Sequence, residues 1–444
     1  MKFKPYPKYK SSGIAWLGGI PADWSLRKLA HSFRIIGSGT TPKSDVLAYY
    51  EDGDIAWLNT GDLNDGELYE CEKRITKAAH VEHSSLKTYP QGSVVIAMYG
   101  ATIGKLAILR FPTTVNQACC VFSDSTSIQN RFLFYWFLAL RQEIVGMATG
   151  GGQPNISQDI LSSLRIGCPT IPEQEVISVF LEQETAKIDT LIAKQEKLIE
   201  LLKEKRQAVI SHAVTKGLDP TVPMKLSGVE WLGDVPEHWT ATALKRFWRV
   251  TDCKHVTVTF LDEGFPVASI AEIRNNRFDL TKAKFTSWEE FTFLRSGRIP
   301  QKGHLIFCRN ASVGTVGYVD TDAAFCLGQD VCLISSNWSD NKYLYYQFLS
   351  SSLTNQLNAL LVGSTFKRIN VEEICNFVVA VPPIEEQIQI ARHLDEITAK
   401  IDGLIEKAER AIELQKEHRT ALISAAVTGK IDVREAVTDH QVAA

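Results

Sequence analysis

The sequence predicts an α+β protein. Two mixed α/β units stand in tandem, separated by two long helices that form an antiparallel coiled-coil pair, and the whole carries an internal pseudo-two-fold repeat. Three observations predict this. A long helical stretch occurs twice, from Pro172-Glu-Gln-Glu-Val-Ile to Thr215 and from Ile384-Glu-Glu-Gln to Thr428. Asp189 matches Asp402 and Thr215 matches Thr428 at one spacing of 213 residues, with no gap between. A short entry motif also recurs: Ser12-Gly-Ile-Ala-Trp16-Leu-Gly-Gly-Ile-Pro21-Ala-Asp-Trp24 returns as Ser227-Gly-Val-Glu-Trp231-Leu-Gly-Asp-Val-Pro236-Glu-His-Trp239 at a spacing of 215. Between each entry and its helix lie short β-rich runs and one apolar helical run. The fall in spacing makes the second unit about two residues shorter than the first.

Each long stretch has helix chemistry. Pro172 suits the first turn, where its missing N–H is no loss, and Glu173 and Glu175 suit the positive end of the dipole. Ile188, Ile192, Gln195, Ile199, Leu202, Arg206, Val209 and Ala213 follow a 4-3-4-3 spacing, a heptad seam interrupted by two polar positions. Ile401, Leu404, Ile405 and Ile412 are the candidate pairing positions of the second copy. Gly217 and Gly429 are natural stops. Roughly 42 residues at about 1.5 Å each give a rod of about 60 Å. The nearest cover for one seam is the other copy, so the two helices are expected to pair. A coiled coil joining two whole chains is the competing arrangement. Gln195 and Arg206 are where a single pairing register is expected to be specified.

The expected boundaries are 1–170 for the first unit, 171–217 for the first long helix, 218–382 for the second unit, 383–432 for the second long helix and 433–444 for a tail. In the first unit, Asp54-Ile-Ala-Trp-Leu, Ser93-Val-Val-Ile-Ala-Met, Lys105-Leu-Ala-Ile-Leu and Cys119-Cys-Val-Phe read as strands. Arg131-Phe-Leu-Phe-Tyr-Trp-Phe-Leu-Ala-Leu reads as a buried helix. The second unit repeats the plan with Lys302-Gly-His-Leu-Ile-Phe and Lys342-Tyr-Leu-Tyr-Tyr-Gln-Phe-Leu. Ala311-Ser-Val-Gly314 answers Ala101-Thr-Ile-Gly104, and Gln329 answers Gln117. Residues 43–89 barely resemble 252–299, as expected of one scaffold carrying two different sets of loops. The entry tryptophans are expected to be packing anchors.

Composition bounds the function. The chain is 45% hydrophobic and 22% charged with nine tryptophans, a globular profile, and its 444 residues suit about two to four domains. No run of eighteen apolar residues suggests a membrane span, and the basic start Met1-Lys-Phe-Lys-Pro lacks the apolar stretch of a signal peptide. Nine cysteines without a CxxC pair fit buried thiols in a reducing cytoplasm. A formal charge of −3 argues against gripping a polyanion by bulk charge, though not against local basic patches.

No complete catalytic set is present. Gly100-Ala-Thr-Ile-Gly104-Lys105-Leu106 has three residues between its glycines where a phosphate loop needs four, and Leu106 stands where Ser or Thr would hold magnesium. His80-Val-Glu-His83 lacks a third metal ligand, so no metal site is expected. No Asn/Asp-Pro-Pro-Tyr/Phe methyltransferase signature and no strand-linked GxGxxG occur. The loops carry a different signal. Arg, Lys, Asn and Gln, the side chains that read guanine and adenine edges in the major groove, recur in glycine-containing loops of both units. The candidate DNA-binding residues are Thr41, Lys43, Asn59, Thr60, Tyr99, Lys105, Asn116, Gln117, Gln153 and Asn155 in the first unit. In the second they are Lys254, His255, Arg274, Asn275, Arg277, Arg309, Asn310, Gln329, Lys367 and Arg368.

The doubled Gly-x-x-Trp-Leu-Gly-x-x-Pro-x-x-Trp entry, the Gly-Thr-Thr-Pro turn at 39–42, Gly-Ala-Thr-Ile-Gly at 100–104, Asn116-Gln117, and the Glu-Gln start of each rod after Pro169 and Pro383 occur in this order. Together these residues resemble the specificity (S) subunit of a type I restriction-modification system over essentially the whole chain. In the second unit Gly328 replaces Asn116 and Asp252-Cys-Lys-His255 replaces the Gly-Thr-Thr-Pro turn, which leaves open which of its loops reads bases. The resemblance implies two target-recognition domains, each reading half of a split, asymmetric target in double-stranded DNA. The rods would set the unread spacer. It implies a non-catalytic chain that binds no cofactor itself, with two methyltransferase (M) subunits using S-adenosylmethionine and restriction (R) subunits using ATP and Mg2+. Much of the phosphate grip would then come from the M subunits. Two other classes compete: a self-sufficient DNA-modifying or cleaving enzyme, and a coiled-coil scaffold with binding modules.

Overall fold

The computed structural model describes residues 3–149, 154–361 and 368–436. The chain forms two compact units, residues 1–194 with 410–444 and residues 195–409. Each unit therefore takes part of each long helix, Ile171–Lys216 and Ile384–Val427.

In the first unit, strands Phe33–Gly37, Cys119–Ser125, Val94–Ala97, Leu106–Leu109 and Gly66–Leu68 form one sheet in that order. All its pairs are antiparallel except the last, which is parallel. A smaller sheet pairs Ile55–Leu58 parallel with Thr114–Val115 and antiparallel with Arg74–Ile75. Helix Asn130–Ala139 is the expected buried helix, burying Phe132 through Phe137. In the second unit the main sheet is Arg249–Asp252, Val331–Ser335, Leu305–Cys308 and Val316–Tyr318. The smaller sheet again has a parallel pair, Phe265–Ala268 with Cys326–Leu327. Helix Asn341–Leu349 is the second buried helix. The frame thus persists through 43–89 and 252–299, where the sequences barely match. Continuous burial holds the central strands, with Val94–Ala97, Leu106–Leu109 and Leu305–Cys308 buried at every residue, while loop residues vary without disturbing them.

The entry motif joins each β-rich body to a long helix. Trp24 is 1% exposed and its indole N–H donates to Glu173 Oε1 at 3.1 Å. Trp239 is 0% exposed and donates to Glu386 Oε1, also at 3.1 Å. The next residue completes the anchor in both copies. Gln174 Oε1 accepts from Gln129 N at 2.7 Å and its amide donates to Pro169 O at 3.0 Å. Gln387 accepts from Asp340 N at 2.9 Å and donates to Pro382 O at 2.8 Å. The Glu-Gln pair therefore satisfies buried groups at each helix start that water cannot reach. Only the second tryptophan of each entry is a full anchor. Trp16 is half-buried with its ring edge-on to Trp136, and Trp231 is 39% exposed, which corrects the expectation of two anchors per copy.

The long helices pair antiparallel within each unit. In the first unit Ile177, Leu181 and Ile188 share a core with Leu422, Ile423 and Val427. In the second, Ile210 and Val214 share one with Ile390 and Leu394. Along the first helix, Ile188 and Leu202 are buried and Ile192, Gln195, Ile199, Arg206 and Val209 half-buried, as the 4-3-4-3 seam requires. In the second helix Ile401 and Ile412 are buried and Ile405 is half-buried. Leu404, at 50% exposure, faces outward. The repeat explains the correction: the seam runs Ile401, Ile405, Ala408, Ile412, and Leu404 is the counterpart of exposed Leu191. Arg206 Nε bonds Asp402 Oδ1 at 3.0 Å in the second unit, and Arg419 Nε bonds Asp189 Oδ1 at 2.9 Å in the first. Arg206, one of the two polar seam positions, and its repeat counterpart Arg419 thus each bond an aspartate of the opposite helix, the same aspartates that mark the repeat.

Candidate nucleic-acid interface

In the first unit the turn at 38–42 is clamped at five successive residues. Ser38 O accepts from the Tyr89 hydroxyl at 3.0 Å and Gly39 N donates to Asn116 O at 3.3 Å. Thr40 O accepts from Trp57 Nε1 at 3.1 Å, and Pro42 O accepts from the Tyr50 hydroxyl at 2.5 Å. Between them, Thr41 Oγ1 donates to Gln117 Oε1 at 2.5 Å. Only glycine fits at 39, because a Cβ there would lie 1.6 Å from Val115 O. Burial pushes the Tyr89 hydroxyl up to about 12.

This turn brings most of the first unit's candidates together. Asn116 Nδ2 donates to Asn59 Oδ1 at 3.1 Å, and Asn59 caps the short turn Thr60–Asp62, with its own N–H on Asp62 at 2.8 Å. Gln117 also reaches the half-buried Tyr99 hydroxyl, whose pKa burial raises while that bond opposes it. Asn155 is exposed, with backbone pairing to Thr149 and a bridge to Tyr99. Lys43 is exposed just past the clamped turn, and Lys105 is half-buried at the end of the Gly100–Gly104 turn. Gln153 and Lys367 lie outside the described residues.

The second unit builds the same place with other residues. Gly328 N donates to Ala268 O at 2.7 Å, as Asn116 N does to Leu58 O at 3.0 Å. Ser269 with Glu272 forms the capping box that Asn59 forms with Asp62. Gln329 Nε2 donates to Thr257 Oγ1 at 2.9 Å, restoring the Thr41–Gln117 pair. Thr257 was not among the sequence candidates. The signal was present: the entry spacing of 215, carried from Trp24 and Trp239 to Thr41, lands on Val256, one residue short.

Other second-unit candidates take different roles. Arg309 is 4% exposed; its guanidinium pairs with Asp252 and its Nε bonds Ile369 O at 3.2 Å, so it is an internal strut and not a base reader. It occupies the backbone place of apolar Met98, since Ile369 N bonds Arg309 O as Ile156 N bonds Met98 O. A buried guanidinium needs a carboxylate. Asp252 is held below the usual carboxylate range: burial raises it, but the His255 bond and the Arg309 charge outweigh that. His255 Nε2 lies 3.0 Å from Asp252 Oδ2 and its backbone sits at φ 51°. Cys253 completes a trio of potential donors, but Arg309 already supplies its positive charge. Lys254 lies over the Phe293 ring at 3.8 Å and bonds Phe293 O. His80 and His83 bond Thr88 and Ala79 O separately.

Arg274-Asn275-Asn276-Arg277 forms a hairpin tip. Asn275 and Asn276 at φ 51° and 58° make the left-handed pair that a two-residue turn of this twist requires. Among the described residues the tip bonds other partners than Thr257 and Gln329. Arg277 lies 3.4 Å from Asp402 on the second long helix, Arg274 Nε donates to Ala271 O, and Asn276 O accepts from Tyr345. Arg274 and Asn275 are exposed. Asn310 is half-buried and bridges exposed Arg368. All nine cysteines are free thiols. Among the described residues no helix is long and apolar enough to cross a membrane.

Residues 21–201 and 243–414 match the family described as type I restriction modification DNA specificity domain. The chain belongs to that family. It is a specificity subunit of a type I restriction-modification system, serving DNA sequence specificity and not itself an enzyme. It is 23% identical to the type I restriction enzyme MjaVIII specificity subunit of Methanocaldococcus jannaschii, covering 96% of this chain and 97% of that one. It is 23% identical to the EcoKI specificity subunit of Escherichia coli, over 93% and 90% of the two chains. The fold matches a chain solved in a study of complex assembly and conformational transition of the type I R-M system, with TM-score 0.72, 15% identity, and 93% and 99% coverage. It also matches the HsdS subunit of Thermoanaerobacter tengcongensis, with TM-score 0.55, 14% identity, and 93% and 98% coverage. The subunit's two matched regions correspond to the two repeats seen in the sequence.

Proposed function

We propose that each repeat reads one half of a bipartite, asymmetric target in double-stranded DNA, and that the loops around Thr41–Gln117 and Thr257–Gln329 are the reading surfaces. The supporting observation is that the same Thr–Gln pair stands at the same place in both frames while the residues around it differ. A glutamine carries a donor and an acceptor side by side, the pattern that meets adenine N6 and N7 in the major groove. Asn59, Asn116, Tyr99 and Asn155 extend the surface in the first unit, with Lys43 and Lys105 beside it for phosphates. In the second, Asn310, Arg368, Arg274 and Asn275 have this role.

The long helices set the unread spacer. They also dock two methyltransferase subunits, which bring S-adenosylmethionine, while restriction subunits bring ATP and Mg2+. Leu191 and Leu404, exposed by 45% and 50%, and Leu201 and Leu414, exposed by 48% and 65%, are repeat counterparts. Exposed apolar residues in two equivalent sets suit two copies of one partner. Exchanging residues 25–170 for the same region of a relative tests the reading. One half of the target changes; a change in both halves defeats it.

A further inference from the structure

The two reading surfaces differ in one physical respect. In the first unit large side chains stand behind the Thr–Gln pair: the Trp57 indole reaches Thr40 O and Asn116 spans to Asn59. In the second, Val267 stands in place of Trp57, Gly328 in place of Asn116 and Ser269 in place of Asn59, by the matched strand registers. A cavity of about 430 Å³ opens there. Val256, Val258, Phe260, Val267 and Ile270 give it apolar walls, and Gln329 stands at it, bonded to Thr257. Among the described residues the one charged side chain lining it, Asp330, is acidic, which disfavours a phosphate there.

In the major groove an A·T pair shows adenine N7 and N6–H2, then thymine O4, then the thymine C5-methyl group. A glutamine next to an apolar recess is complementary to both halves of that pair. We propose that this cavity receives the methyl face of a thymine whose paired adenine Gln329 reads, so the second unit selects an A·T pair by hydrogen bonding and apolar burial together. The inference rests on the reading given under Proposed function. Gly328 is then a specificity-determining position, since a side chain there would meet Ser269 Cβ at 3.1 Å and Val267 Cγ1 at 3.2 Å and close the recess.

The test uses the full chain and duplexes carrying its target, with each thymine of the second unit's half-site replaced singly by deoxyuridine, which removes only the methyl group. One position is expected to lose about fourfold in affinity, the worth of one buried methyl. Gly328→Asn is expected to abolish that ratio, and Val256→Ser, at an exposed position, to reduce it. If no thymine responds, or the half-site holds none, while scrambling that half-site still abolishes binding, the cavity inference is overturned and the function stands. If scrambling either half-site leaves binding unchanged, the functional reading itself fails.

Discussion

Gly39→Ala is the sharpest probe of the clamped turn. The added Cβ would sit 1.6 Å from Val115 O and 2.6 Å from Val115 C, both backbone atoms, so the turn itself must move. Moving it breaks four bonds: Gly39 N to Asn116, Trp57 to Thr40, Thr41 to Gln117 and Tyr50 to Pro42. At about 1 kcal/mol net for each, the loss is about 3–4 kcal/mol. For a unit of this size that lowers the melting temperature by on the order of 10 °C. Gly61→Ala is the control, since its Cβ would meet nothing within 4 Å. Calorimetry of both variants is paired with binding to duplexes in which one half-site at a time is scrambled. Gly39→Ala is expected to lower the first unit's transition and to stop discriminating its half-site, while the other half-site is still read. A melting curve and specificity both equal to those of the Gly61→Ala control would refute the reasoning.

Reversing Arg206 to Asp or Asp402 to Arg alone is expected to destabilise the helix pair by about 1 kcal/mol, and the double reversal to restore most of it, measured by urea unfolding; additive losses would remove the ion pair from the register. Trp239→Ala is expected to cost about 3–5 kcal/mol, whereas Trp231→Ala is expected to change stability by well under 1 kcal/mol, because only the former is fully buried. Asp252 is depressed in the folded state, so its contribution is present above its ordinary pKa near 3.8 and is lost as pH falls below that. Asp252→Asn is accordingly expected to lower stability at pH 7 and to flatten the acid limb of a stability–pH profile; an unchanged limb argues against the Asp252–Arg309 pair.

The repeat was legible because helix pairing and entry anchoring constrain many residues at once. Asp189 and Asp402 recur because each meets an arginine across the seam, and Glu-Gln recurs because both side chains satisfy buried groups at a helix start. Strands such as Val94–Ala97 and Leu305–Cys308 were legible from apolar runs between turns. Leu404 was misplaced because an apolar residue one step off the stripe looks the same until its counterpart Leu191 is consulted. Arg309 was misassigned because charge alone does not reveal burial; its carboxylate partner lies 57 residues away in sequence. Thr257 was missed because the entry spacing carried to Thr41 falls one residue short of it, and 252–299 shares too little with 43–89 to correct the register, although the common backbone frame sets it opposite Gln329 as Thr41 is opposite Gln117.

The central claim is that one chain reads two separate half-sites through two copies of one frame. Methylome sequencing of cells carrying this chain with its own system's other subunits tests it most directly. The expected result is a single asymmetric motif of two specified parts, separated by a fixed gap with no base preference. A continuous motif without a gap, or a palindrome read identically on both sides, would contradict the account.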